Sequence, residues 1–143
     1  MMPKCVSSYI FNEFINSGDS LQVFDCEKRI YSSNEKMLLP LLKYIRNFSA
    51  EHKNVVVFDR IVGNAAALLL VIANCTEVYS PMASLPAVET LDKYNISYKV
   101  TSVVPFIQKP GGTEICPMER LSAGKTPEGF YQIIKDLMVK QTG

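Results

Sequence analysis

Two short strings in this chain carry side chains with chemistry. Asp59-Arg60-Ile61-Val62-Gly63-Asn64 places a carboxyl, a guanidinium and a carboxamide together, directly after a β-branched run. Cys116-Pro117-Met118-Glu119 sets a thiol one helical turn from a carboxylate. A cysteine on a loop near a helix N-terminus could act as a nucleophile or redox thiol. Here Glu119 would raise the pKa of a neighbouring thiol, and no histidine stands nearby in sequence to serve as base. The alternative is that Pro117 fixes a tight turn whose cysteine and methionine fill space against a sheet. Asp59 falls at a strand-to-helix junction and reads as a helix N-cap worth about 1 kcal/mol. That role is compatible with touching a ligand, because ligands of open α/β sheets collect beyond the carboxyl ends of the strands. Gly63 costs about 1 kcal/mol against alanine inside a helix, so close packing or room for a ligand must explain it. Asn64 suits either a buried structural hydrogen bond or a pocket contact.

Other strings point to less. Gly124-Lys125-Thr126 resembles the end of a phosphate-binding loop, but the glycine such a loop needs is replaced by Glu119. Lys109-Pro110-Gly111-Gly112-Thr113 could hold an anion on its amides or simply turn the chain. The single histidine, His52, precedes the β-branched run and so belongs at the other end of the strand from Asp59. With net charge +1 and scattered basic residues, the chain lacks the basic stripe of a nucleic-acid binder. Cys5, Cys26, Cys75 and Cys116 form no C-x-x-C pair, and the first residues show no signal-peptide apolar stretch. Reduced thiols in a cytoplasmic protein are expected, which leaves the sequons at Asn47, Asn74 and Asn95 without meaning. The apolar run Ala65 to Ala73 is too short for a membrane span of about 20 residues.

The elements that must position these residues follow from periodicity. The 143 residues, 48% hydrophobic and 20% charged, suit one domain over 1–143 with a core of its own. Val6, Ile10 and Phe14 suit a first helix ended by Ser17-Gly18. Leu21–Phe24 and Arg29–Tyr31 read as a hairpin whose turn lacks glycine. Pro40 opens a helix through Ile45. Val55–Phe58 is a strand buried on both faces, followed by a helix from Asp59 through Ala73 that is apolar nearly all round. Glu77–Ser80 is a second core strand. A helix from about Leu85 to Tyr94, capped by Ser84, follows it. Tyr98–Val100 with Val103-Val104 gives another strand. Pro105 to Lys125 reads as a long irregular stretch of the kind that often carries function. An amphipathic helix over 126–143 opens at Thr126-Pro127-Glu128. This order indicates an α/β fold with a mixed sheet of about five strands and helices on both faces.

That order resembles the cytidine-deaminase-like superfamily. The string from Asp59 to Leu69 is similar to the D-x-x-x-G-x-A-A-A-L-L signature of a small prokaryotic family within it. Val104-Pro105-Phe106-Ile107 and Cys116-Pro117-Met118-Glu119 are similar to that family's V-P-x-I and C-P-M-E. The resemblance covers 17–121, with the last helix beyond it. It implies a three-layer α/β/α sandwich with an ancestral pocket for a nucleotide-like small molecule, lined by Asp59, Gly63, Asn64, Cys116 and Glu119. Zinc deaminases carry H-x-E or C-x-E at one helix start and P-C-x-x-C at the next. This chain has no His, Cys or Glu between Arg60 and Ala73, and Pro81-Met82-Ala83-Ser84-Leu85 stands where P-C-x-x-C would fall. Zinc-dependent deamination is excluded, and neither metal nor cofactor is expected. Three readings follow: a small-molecule-binding domain, a Cys116-dependent enzyme of another class, and a structural or partner-binding protein with a vestigial pocket. A homo-oligomer is compatible with each.

Overall fold

The computed structural model describes residues 8–109 and 111–142, with side chains described for 10–109 and 111–136. The sheet is organised around β3 (Val55–Asp59), whose alternation serves two cores. Val55 and Val57 enter the main core, while Val56 and Phe58 join an aromatic cluster on the other face. β1 (Leu21–Asp25) lies antiparallel to β3, and β2 (Lys28–Ser33) is antiparallel to β1. The hairpin turns without glycine because Cys26 takes φ 55°, a left-handed conformation costing roughly 1–2 kcal/mol. β5 (Cys75–Ser84) runs parallel to β3, and β6 (Ser97–Val104) runs parallel to β5 along its other side.

The ladder between β3 and β5 is interrupted after Phe58 and resumes at a short strand, β4 (Ile61–Val62). The register is the same on both sides of the break: Phe58 faces Tyr79, and Ile61 faces Met82. Pro81 stands opposite the break and has no N–H to give a ladder. Ser80 Oγ takes the Met82 N–H instead, at 3.2 Å. Burial alternation slips at the same place, since Val57 and then Val62, rather than Ile61, face the main core. The sheet thus has six strands, one more than expected, with β2 and β6 at its edges.

Five helices cover the main-core face: α2 (Leu39–Phe48), α3 (Asn64–Ile72), α4 (Leu85–Lys93), α5 (Pro117–Ser122) and α6 (Pro127–Thr142). α3 is apolar all round because it packs among the other four. α1 (Ser8–Asn16) covers the other face, setting Phe11 and Phe14 against Phe58. Val6, expected in this helix, lies outside the described residues. Ser84 caps α4 as expected, its Oγ accepting from Ala87 N at 3.2 Å. Two expectations are corrected. The segment after β3 does not enter a helix at Asp59, because β-branched Ile61 and Val62 first extend along β5, and α3 opens only after Gly63. The stretch from Pro105 to Lys125 is not wholly irregular, since it contains α5 and a bridge between Gln108 and Ile115.

Candidate functional site

A pocket of about 240 Å³ opens at the carboxyl end of β3. It lies between the N-terminal ends of α2 and α3 and the segment joining β6 to α5. Its walls are largely apolar, with Leu38, Leu41, Ala65, Ala66, Ile107 and Met118 among them. Asp59, Glu119, Cys116 and Gln108 are among its polar linings.

Asp59 is the last residue of β3 and lies in the break of its ladder with β5. It is half-buried and lines the pocket. Burial pushes its carboxyl up to about 7, against the opposing pull of the Ile61 and Arg60 backbone N–H groups. A carboxyl poised there can accept or donate a hydrogen bond near neutral pH.

The carboxylate that serves α3 comes from Glu119, far along the chain. One oxygen accepts the Asn64 N–H at 2.6 Å and the other accepts the Ile107 N–H at 2.9 Å. Glu119 therefore neutralises the positive end of α3 and ties the β6–α5 connection to it. Gly63, at the N-cap, has an ordinary extended backbone (φ −86°), so its smallness serves packing rather than conformation. A Cβ there would lie 3.1 Å from Glu119 Oε1 and 3.2 Å from an Ile107 side-chain carbon. Asn64 is corrected as a ligand residue. It is buried outside the pocket lining, its amide donates to Ser122 O and Ser122 Oγ at 3.1 Å, and its carbonyl accepts from the Thr90 hydroxyl.

Cys116 is a half-buried free thiol at the N-cap of α5, with Pro117 in the first turn. Its N–H donates to Ile107 O at 2.8 Å, so the backbone holds it against the pocket rim. Arg60, the cation nearest Asp59 in sequence, is committed elsewhere. Its guanidinium donates to the carbonyls of Phe14, Ile15, Ser17 and Asp19 at 2.7–3.0 Å and lies 4.7 Å from the Phe14 ring centroid. Arg60 thus closes the C-terminal end of α1, a role that the sequence does not signal. The structure therefore brings Asp59, Gly63, Cys116 and Glu119 to one pocket and leaves Asn64 behind it.

The remaining strings are structural. His52 Nδ1 meets Asp25 Oδ2 at 2.6 Å, at the opposite end of β3 from the pocket. Thr126 Oγ1 accepts from Gly129 N at 3.1 Å and caps α6. The Lys109 and Gly112 amides are used within their own turn. Cys26 is disulfide-bonded, which corrects the expectation of four reduced thiols. No group of His, Cys, Asp and Glu among the described residues could hold a metal ion. No helix among them is long and apolar enough to cross a membrane.

A family model described as "TM1506: Domain of unknown function (DUF1893)" matches residues 10–138. The chain belongs to this family. The match runs into α6, so the DUF1893 unit includes most of the last helix. The crystal structure of a DUF1893 family protein (TM1506) from Thermotoga maritima, at 2.70 Å resolution, superposes with a TM-score of 0.83. It is 23% identical, over 96% of this chain and 92% of that one, and at that identity it establishes a shared fold alone. No curated protein matches. These findings overturn the cytidine-deaminase-like assignment: the family and the structural match are both DUF1893, and neither carries that superfamily. The structure shows why the helix-start motif misled. In this DUF1893 chain Asp59 ends a strand, and Glu119 provides the carboxylate at the start of α3.

Proposed function

We propose that this DUF1893 chain binds a small, largely apolar molecule in the pocket beyond β3, held by a hydrogen bond to Asp59. The observation that carries this reading is one carboxyl, raised to about 7 by burial, on the wall of an apolar pocket. Apolar pockets with a few placed polar groups are the usual form of small-molecule sites. Glu119 and Asp59 both accept backbone N–H groups, and Asp59 is taken as the ligand's partner because burial raises its carboxyl to about 7, so it can donate as well as accept.

The volume matches about eight waters at ~30 Å³ each, room for a single heterocyclic ring system. Of a nucleotide-like ligand, the lining suits the base and not the phosphate. Two carboxylates line the pocket, Glu119 occupies the positive end of α3, and the Arg60 guanidinium is held by α1 carbonyls. A weakly basic, neutral heterocycle would share the Asp59 proton. The Cys116-dependent enzyme is less well supported, because the single histidine, His52, lies with Asp25 at the far end of β3 and the Arg60 guanidinium is held by α1 carbonyls.

Calorimetry with nucleobases, nucleosides and their monophosphates at pH 6 and pH 8 tests the reading. At least one neutral heterocycle should bind, and its monophosphate should bind about tenfold or more weakly. Asp59→Asn should weaken the neutral ligand by about tenfold or more, one charge-assisted hydrogen bond being worth about 1.5–3 kcal/mol. Binding of no member of the panel, or binding indifferent to Asp59→Asn, would overturn it.

A further inference from the structure

We infer that the free edge of β6 pairs with the β6 of a second copy, extending the sheet across a two-fold axis. β6 pairs only with β5 among the described residues, and its eight residues leave one long edge open. Edge strands left exposed are ordinarily guarded by charge, proline or a bulge, because unpaired N–H and C=O groups recruit other strands. The opposite edge is guarded in this way: β2 begins Lys28-Arg29, and its pairing with β1 carries a bulge between Val23 and Phe24. β6 reads Ser-Tyr-Lys-Val-Thr-Ser-Val-Val, with no proline and one charge. That charge does not guard the edge, since the Lys99 ammonium leans back over the Tyr79 ring, 6.0 Å from its centroid.

The strand is self-complementary. Antiparallel pairing centred on Thr101 sets Tyr98 against Val104 of the second copy, Lys99 against its Val103, and Val100 against its Ser102. Tyr98 and Val104 are both half-buried, and Lys99, Thr101 and Val103 are all exposed, so these facing residues lie on the same side of the sheet. No like charges meet, and aromatic–β-branched cross-strand pairs are favourable. Four of the exposed large hydrophobic residues, Ile61, Met82, Leu85 and Val103, also gather at this end of β4, β5 and β6. Homodimers form most readily through such isologous surfaces.

Sedimentation velocity over a concentration series tests the inference on the full chain. The wild type should reach twice the monomer mass with a micromolar Kd, and β6 amides should lose hydrogen-exchange protection on dilution. Thr101→Lys with Val103→Lys, both at exposed positions, should weaken the dimer by about tenfold or more by setting lysines close across the axis. Ser32→Lys on the β2 edge should leave it unchanged, and circular dichroism should show all variants folded. A wild type that stays monomeric throughout, or a dimer weakened equally by Ser32→Lys or not at all by the double variant, would overturn the inference.

Discussion

Removing the Glu119 carboxylate should be among the costliest single changes in this molecule outside its apolar cores. Glu119 is 8% exposed and accepts two backbone N–H groups, at 2.6 and 2.9 Å. Hydrogen bonds to a charged group contribute about 1.5–3 kcal/mol each, and Glu119→Ala removes both. The favourable contact with the positive end of α3 goes with them, worth up to ~1 kcal/mol. Because the residue borders the pocket, water can enter and satisfy part of the lost acceptor capacity. The expected net loss is therefore about 3 kcal/mol, or a fall in Tm of roughly 10 °C for a domain of this size. Glu119→Gln keeps one acceptor but turns an NH₂ toward the other amide, so about 2 kcal/mol should be lost. Urea unfolding of wild type, Glu119→Gln and Glu119→Ala at pH 7 measures the series. A loss below about 1 kcal/mol for Glu119→Ala, or an inverted order, would refute the double-cap assignment.

Asp59→Asn should act in the opposite direction. A carboxyl raised to about 7 in the folded state binds protons that the unfolded chain has released, so stability falls as pH rises from about 4 to 7 and then levels. The full shift corresponds to roughly 4 kcal/mol, reduced to about 2 by solvent in the pocket. Urea midpoints should show the variant about 2 kcal/mol more stable at pH 8 with a flatter profile between pH 4 and 7, and an unchanged slope would count against it. Gly63→Ala should cost about 1–2 kcal/mol by pressing on Glu119 and Ile107, so a neutral or stabilising result in thermal melts would contradict the close packing. Tyr44→Phe should be neutral or stabilise by about 1 kcal/mol, because the buried hydroxyl has no hydrogen-bond partner among the described residues. A loss above 1 kcal/mol would show that the hydroxyl has a partner. A bound heterocycle should slow alkylation of Cys116 by about tenfold by occupying the pocket it lines, and unchanged labelling would separate Cys116 from the site.

Much of the fold is legible in the residues. The alternation of Val55 to Phe58, the proline-opened α2, the Ser84 cap and the all-apolar α3 each follow from local rules that the structure keeps. The misreading falls at Asp59 to Gly63, where an apolar run continues from a strand through Ile61-Val62 into an alanine-rich helix without local punctuation. The signal for the break lies on the neighbouring strand, in Pro81, and becomes readable only once the register of β3 against β5 is known. The candidate site was legible in part. Asp59 and Cys116 line one pocket, a grouping that the spacing of neither string signals. The structural role of Asn64 and the docking of Arg60 onto α1 leave no local signal, because their partners, Ser122, Thr90 and the end of α1, lie far away in sequence. The role of Glu119 was hidden for the same reason, since a cap supplied across the chain leaves no spacing rule to detect.

The measurement closest to the central claim is a carbon-detected NMR titration of the Asp59 carboxyl, with and without the tightest-binding heterocycle. The account predicts a midpoint near 7 in the free protein and a clear displacement when the heterocycle is bound. A midpoint near 4, unmoved by any pocket ligand, would contradict it.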